Sequence, residues 1–177
     1  MTPLVGGAFD PPHNGHVALA AAVRARFGEP VILVTADPGH KRTAASAEDR
    51  LALAQAAFPG YRVELDPYAR TVDLLREGRF ADPLVVIGAD EYADFPTWKE
   101  PDEVRRRARI AVATRPGFPV DGDVEQFEIE PWPISSRELR ARVAAGEPID
   151  ALVPPAVASL IRDRGLYVPA RGYTESS

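Results

Sequence analysis

Two histidines spaced three apart close a glycine-rich segment, Gly6-Gly7-Ala8-Phe9-Asp10-Pro11-Pro12-His13-Asn14-Gly15-His16. Glycines let a backbone approach a ligand closely, and a helix that starts just after them presents free N–H groups and positive potential. Histidines three apart at that helix start face the same way and, neutral or protonated, donate hydrogen bonds to phosphate oxygens. The chemistry this suggests is an anion cradle with two extra donors. A His-x-x-His pair also suits a metal, but only one further histidine exists, His40, and catalytic metal sites want three protein ligands. The phosphate reading is therefore preferred, although a glycine pair before a helix is by itself an ordinary turn.

A second segment, Ile134-Ser135-Ser136-Arg137-Glu138-Leu139-Arg140, opens a late helix with two hydroxyls and an arginine one turn inside. Those groups make a second phosphate site. Alone, the segment reads better as a serine cap, with Glu138 completing a capping box and Arg140 in solvent. Beside the first segment, the preference reverses.

Other residues carry weaker signals. His40 and Lys41 follow the second strand, so all three histidines fall in loops after the first two strands, which favours a shared pocket. Gly88 and Asp90 follow the fourth strand, where Asp90 either accepts from ribose hydroxyls or caps the next helix. Trp132, between two prolines, reads as structural. Arg105, Arg106, Arg107 and Arg109 fall toward the C-terminal end of a helix, where cations complement the macrodipole, and no aromatic residues interleave as an RNA surface would need.

Short β-branched runs alternate with helical stretches. Strands are expected at Leu4–Phe9, Val31–Ala36, Tyr61–Asp66, Leu84–Ala89, Ile110–Thr114 and Val124–Ile129. Helices are expected from an Asn14 cap to Phe27, from Ser46 to Phe58, and over Thr71–Glu77, Asp90–Phe95, Asp102–Arg109, Ser136–Ala145 and Pro155–Arg164. Nearly continuous apolar strands separated by helices mean a parallel sheet covered on both faces. The expected fold is α/β, a doubly wound parallel sheet in one domain (residues 1–169) with a C-terminal helical segment. Residues 170–177 read as a frayed polar tail. Ligands of such sheets bind beyond the carboxyl ends of the strands.

Composition narrows the classes. The chain has 177 residues with 21 Lys+Arg against 26 Asp+Glu, a net charge of −5, so a general nucleic-acid or anionic-membrane coat is disfavoured. No cysteine is present, which excludes disulfides, thiolate nucleophiles and cysteine-held metals. No apolar run is long enough to span a membrane, and the expected setting is the cytoplasm.

The eight defined letters of GGxFDPxHxGH match a nucleotidyltransferase signature without a mismatch; at ~5% per residue type, chance agreement is on the order of 10⁻¹⁰ per start. The chain resembles the HxGH-type nucleotidyltransferases, whose Rossmann-like plan is shared with the class I aminoacyl-tRNA synthetase core. Ile134–Arg140 is similar to that family's ISSTxxR element. Val86-Ile87-Gly88-Ala89-Asp90, Thr97-Trp98-Lys99, Arg115-Pro116-Gly117, Leu152-Val153-Pro154 and Gly165-Leu166-Tyr167 are similar in order and spacing to the bacterial nicotinate-nucleotide adenylyltransferases. So are His40-Lys41 and Thr71-Val72-Asp73, and the similarity runs from about Val5 to Tyr167.

The resemblance implies transfer of an adenylyl group from ATP to a pyridine mononucleotide, with pyrophosphate released, in NAD biosynthesis. It implies that His13, His16 and Arg140 are catalytic. ATP would be met by Gly7, Ala8, Phe9, His13, His16, Gly88, Asp90, Ser135, Ser136 and Arg140, and the mononucleotide by His40, Lys41, Thr71, Trp98 and Arg115. Mg²⁺ would ride on ATP without a dedicated protein site. The partners are these small molecules, with no nucleic acid or membrane, and association into a homo-oligomer is left open. Ala8 stands where the family carries Ser or Thr, Arg137 where it carries Thr, Arg70 where Tyr precedes Thr-Val-Asp, and Pro38-Gly39 where Pro-Pro precedes His-Lys. Nicotinamide mononucleotide or another phosphorylated acceptor, and a nucleotide sensor without turnover, are the competing readings.

Overall fold

The computed structural model describes residues 1–39 and 42–169. His40, Lys41 and the tail 170–177 lie outside the described residues. Six strands form one sheet: β1 (Thr2–Gly7), β2 (Val31–Thr35), β3 (Arg62–Asp66), β4 (Pro83–Gly88), β5 (Arg109–Thr114) and β6 (Glu125–Glu128). Their order is β3-β2-β1-β4-β5-β6, and every neighbouring pair is parallel. The chain crosses from one half of the sheet to the other between β1 and β4, and there the crevice at the strands' carboxyl ends opens.

Side-chain alternation along the strands explains the two layers. Val5, Ile32, Val34, Leu84, Val86, Ala111 and Ala113 pack on one face. That face is covered by α1 (Asn14–Phe27), α2 (Ala47–Ala57), α6 (Ser136–Ala144) and α7 (Pro155–Arg164), whose Val23, Leu53, Leu139 and Ile161 join the same cluster. Leu4, Leu33, Val85, Ile87, Ile110 and Val112 face the other way. They meet α3 (Thr71–Arg76), a turn of 3-10 helix at Phe95–Thr97 and α5 (Pro101–Arg107), through Val72, Leu75, Phe95 and Val104. The short α4 (Ala89–Asp94) follows β4 directly. Both faces are apolar, so neither half of the alternation reads as polar in the sequence. No helix among the described residues is long and apolar enough to cross a membrane.

Three expectations are corrected. β1 ends at Gly7, not Phe9, because Phe9 takes a left-handed φ of 49° and turns its ring under the first helix. The cap of α1 is His13, not Asn14; Asn14 instead donates its side-chain Nδ2 to the Ala151 carbonyl at 3.2 Å and its backbone N–H to Leu152 at 3.0 Å. Arg109 is not on the helix: α5 stops at Arg107, and Arg109 begins β5, pairing with Asp82 at 2.8 Å and Glu125 at 3.4 Å.

Candidate active site

The first motif folds as its glycines and histidines require. Gly7 leaves room for the Phe9 ring, which would lie 3.2 Å from a Cβ at that position. Phe9 then packs edge-on against His16 and Phe58, with centroids 5.1 and 5.5 Å away. The two histidines form a reciprocal cap: His13 Nδ1 accepts from the Gly15 N–H at 3.2 Å, and His16 Nδ1 accepts from the His13 N–H at 3.1 Å. Each Nδ1 is thereby an acceptor, so a neutral ring carries its proton on Nε2.

Burial favours that neutral form. Desolvation lowers the His13 pKa from 6.5 to about 4. It lowers His16 to about 3, with the neighbouring His13 charge adding to the effect. The rings lie 3.8 Å apart. Neither Nε2 has a hydrogen-bond partner among the described residues, and no fully buried side-chain nitrogen or oxygen among them lacks a partner. Both Nε2–H groups are therefore open to an incoming acceptor.

The second motif docks onto the first. Ser135 caps α6 by accepting from the Glu138 N–H at 3.2 Å. Ser136 Oγ donates to the Pro11 carbonyl at 2.8 Å, and Arg140 Nη1 donates to the Asp10 carbonyl at 2.7 Å. The arginine is half-buried, and 3.8 Å separates Nη1 from an Asp10 carboxylate oxygen. Arg137 is exposed on the same helix turn, and no contact in the structure accounts for it. Trp132 belongs to this corner as well: its Cβ stands 3.1 Å from where a Gly15 Cβ would be, and the residue is 46% exposed.

Three residues without an expected role hold the motifs in register. Asp10 is buried, and its carboxylate accepts from the Ala44 and Ala45 N–H groups at 2.7 and 3.1 Å and from the Tyr167 hydroxyl at 2.8 Å. Arg50, only 1% exposed, spends its guanidinium on four carbonyls: Ala8 (2.9 Å), Thr35 (2.7 Å), Ala36 (2.8 Å) and Ala45 (3.3 Å). Tyr167 joins the end of α7 to the first motif. Burial first, and then the Asp10 charge, push its phenol well above the usual range.

A cavity of about 600 Å³ opens at the carboxyl ends of β1 to β4. Gly6, Gly7 and Ala8 line one side, which makes the first motif its shared wall with the histidine cradle. Thr71, Trp98, Arg70 and Lys99 line the cavity as well, and Asp66, Glu91 and Asp94 add carboxyl groups. Trp98 is half-buried, its ring tilted 49° against Phe95 at 5.2 Å. Burial raises the Asp66 carboxyl, partly offset by its bond from the Tyr68 N–H at 2.9 Å.

The structure thus brings Gly7, Ala8, Phe9, His13, His16, Ser135, Ser136 and Arg140 into one corner. Thr71 and Trp98 sit across the adjoining cavity. Gly88 is the cap residue of α4, and Asp90 is exposed in its first turn. Arg115 is not among the cavity-lining residues; it is exposed after β5 and bridges to Phe118. No group of three or more His, Asp or Glu side chains among the described residues is placed to hold a metal ion. With each Nδ1 already accepting a backbone proton, the two histidines are arranged as donors.

Comparison with known proteins agrees with this geometry. Residues 4–142 match the cytidylyltransferase-like family. The chain is 37% identical to the probable nicotinate-nucleotide adenylyltransferase of Arthrobacter sp. (strain FB24), over 92% of this chain and 89% of that protein. It is 36% identical to the protein of the same name from Streptomyces coelicolor, over 92% and 98%. Among solved structures, the Plasmodium falciparum nicotinic acid mononucleotide adenylyltransferase complexed with NaAD superposes with a TM-score of 0.76 at 17% identity, covering 94% of this chain and 96% of that one. At that identity the likeness speaks for the fold.

Proposed function

The chain belongs to the cytidylyltransferase-like family and, within it, to the nicotinate-nucleotide adenylyltransferases, and from that premise we propose how its residues carry out the transfer. It moves the adenylyl group of ATP to nicotinate mononucleotide, giving the dinucleotide and pyrophosphate in NAD biosynthesis. The acceptor's 5′-phosphate oxygen bonds to the α-phosphorus of ATP as the bond from that phosphorus to the bridging oxygen of the β-phosphate breaks. The nucleophile is already an anion, so no side chain has to remove a proton. Catalysis is in-line positioning and the neutralisation of phosphate charge.

The observation that carries the reading is the docking of Arg140 and Ser136 onto the main chain of Asp10 and Pro11. It sets a guanidinium beside two neutral imidazoles whose Nε2–H groups are uncommitted. His13 and His16 donate to oxygens of the α- and β-phosphates, and the positive end of the α1 dipole supports them, its first N–H groups being taken by Leu152 and His13. Arg140, through its remaining N–H groups, and the Ser135 hydroxyl hold the leaving β- and γ-phosphates, while Ser136 fixes the helix start to the Pro11 carbonyl beside them. Gly7, Ala8 and Phe9 bring main-chain groups close to the triphosphate, and Gly88 and Asp90 meet the ATP sugar. The acceptor fills the adjoining cavity with its ring on Trp98, near Thr71.

Mg²⁺ arrives on the triphosphate, keeping mainly water and phosphate oxygens as ligands and reducing the charge to be neutralised. The setting is the cytoplasm, where ATP and the mononucleotide meet. ATP labelled at the α-phosphorus tests the reaction type. The label belongs in the dinucleotide, with β- and γ-phosphorus in pyrophosphate. Label carried to the acceptor from the γ-position would mean phosphoryl transfer and would overturn the reading.

A further inference from the structure

Two residues from separate loops meet at the rim of the cavity, Gly39 after β2 and Arg70 before α3. In the fold, a Cβ built on Gly39 would come within 2.9 Å of Arg70 Nη1. Gly39 also has φ 61°, a left-handed backbone that proline's ring forbids. Arg70 is exposed, and its guanidinium lies over Gly39 in the space that a Cβ at position 39 would share.

The charges around the cavity give this pair a purpose. Among the described residues, two cations line it, Arg70 and Lys99. Lys99 is committed: its Nζ lies 3.0 Å from both carboxylate oxygens of Asp73. Arg70 makes no ion pair with a described residue, and its one hydrogen bond goes to the neighbouring Ala69 carbonyl at 3.2 Å. Three acidic side chains, Asp66, Glu91 and Asp94, share the lining. Among the described cations of the lining, Arg70 is therefore the one with its charge available to an entering anionic group.

Position decides which anion that is. Arg70 is the cap residue of α3, and the Lys99–Asp73 pair pins the segment carrying Trp98 to the first turn of the same helix. Trp98 and Arg70 therefore border the cavity together at the start of α3, and Gly7 and Ala8 join it to the histidines. A mononucleotide with its phosphate at the histidines and its ring on Trp98 brings the ring's substituent to the start of α3, where Arg70 stands. We propose that Arg70, seated by Gly39, pairs with the carboxylate of the pyridine ring and makes this cavity select the acid over the amide. This rests on the adenylyltransferase reading. A guanidinium offers a carboxylate parallel charge-assisted donors, whereas an amide nitrogen would set donors against donors.

The test compares wild type, Arg70→Ala, Arg70→Lys and Gly39→Ala with nicotinate mononucleotide and nicotinamide mononucleotide in parallel, following pyrophosphate release. Arg70→Ala should lower kcat/KM for the nicotinate form by about tenfold or more, the size of a lost hydrogen bond to a charged group, and change the nicotinamide form by less than about threefold. Arg70→Lys should retain part of the preference. Gly39→Ala should erode it in the same direction by displacing the guanidinium, and an unchanged ratio in that variant would overturn the seating. Equal losses on both acceptors, as from a contact to the shared phosphate, would overturn the carboxylate assignment, as would no loss on either. Calorimetric titration of the two mononucleotides without ATP reads the same contact independently of turnover. If wild type turned over neither acceptor, the adenylyltransferase reading would fail on its own. Binding of the nicotinate form weakened selectively by Arg70→Ala would still support the pairing, and binding unchanged by it would overturn it.

Discussion

The main-chain N–H of His13 donates to Nδ1 of His16 at 3.1 Å. This one contact fixes both the start of the first helix and the tautomer of the second histidine. Together with the Gly15 N–H on His13 Nδ1, it turns a helix cap into a pair of aligned Nε2–H donors. Burial and these two contacts favour neutral imidazoles with the proton on Nε2.

That arrangement is visible by titration. In the free protein, two of the three histidine ring signals should show no protonation between pH 8 and about 5, since burial holds His13 near about 4 and His16 near about 3. A midpoint near the ordinary 6.5 for all three would contradict the neutral-donor account. The sign for stability follows. Both folded values lie below the unfolded value, so the unfolded chain binds more protons in acid. Stability is complete above about pH 6.5 and falls as the pH drops toward 4, by up to about 1.4 kcal/mol per pH unit for each histidine. Denaturant melts at pH 7 and 5 would measure it.

Arg50 should matter for stability out of proportion to its distance from the phosphates. Arg50→Met removes donors from three carbonyls at the ends of β1 and β2 and from that of Ala45 before α2, and should cost about 3–5 kcal/mol. Tyr167→Phe removes one bond to the Asp10 carboxylate and should cost about 1–2 kcal/mol. Thermal melts that leave Arg50→Met within about 2 °C of wild type would show that the buried guanidinium does not organise these loops.

Trp98→Ala should raise KM for the mononucleotide by about tenfold through lost ring stacking, with KM for ATP nearly unchanged. Trp98→Phe should recover much of it. A rise in both KM values would place the indole in general packing against Phe95.

Much of this was legible in the residues. The meeting of His13 and His16 at the start of α1 could be read because glycines and a His-x-x-His spacing at a strand-to-helix turn put both rings on one side. The parallel sheet could be read because strands buried on both faces are apolar throughout. What escaped depends on distant partners. Asn14 is the better intrinsic cap, but its side chain is taken by the carbonyl of Ala151, and His13 caps instead. Asp10 was part of a recognised motif, yet its three donors come from Ala44, Ala45 and Tyr167, which no local pattern joins. Arg50 did leave a trace: it stands three, four and seven residues before Leu53, Ala54 and Ala57 on the buried face of α2, where an arginine must find carbonyls. The contact between Gly39 and Arg70 appears only once two loops are folded together.

The most direct test is pyrophosphate release from ATP and Mg²⁺ with nicotinate mononucleotide, with nicotinamide mononucleotide and without acceptor, repeated on His16→Ala. The account predicts acceptor-dependent release at least about tenfold more efficient for the nicotinate form, and a drop of roughly 10²–10³ in His16→Ala, the size of one lost charge-stabilising donor. No release with either acceptor despite ATP binding, or a loss of about twofold or less in His16→Ala, would contradict it.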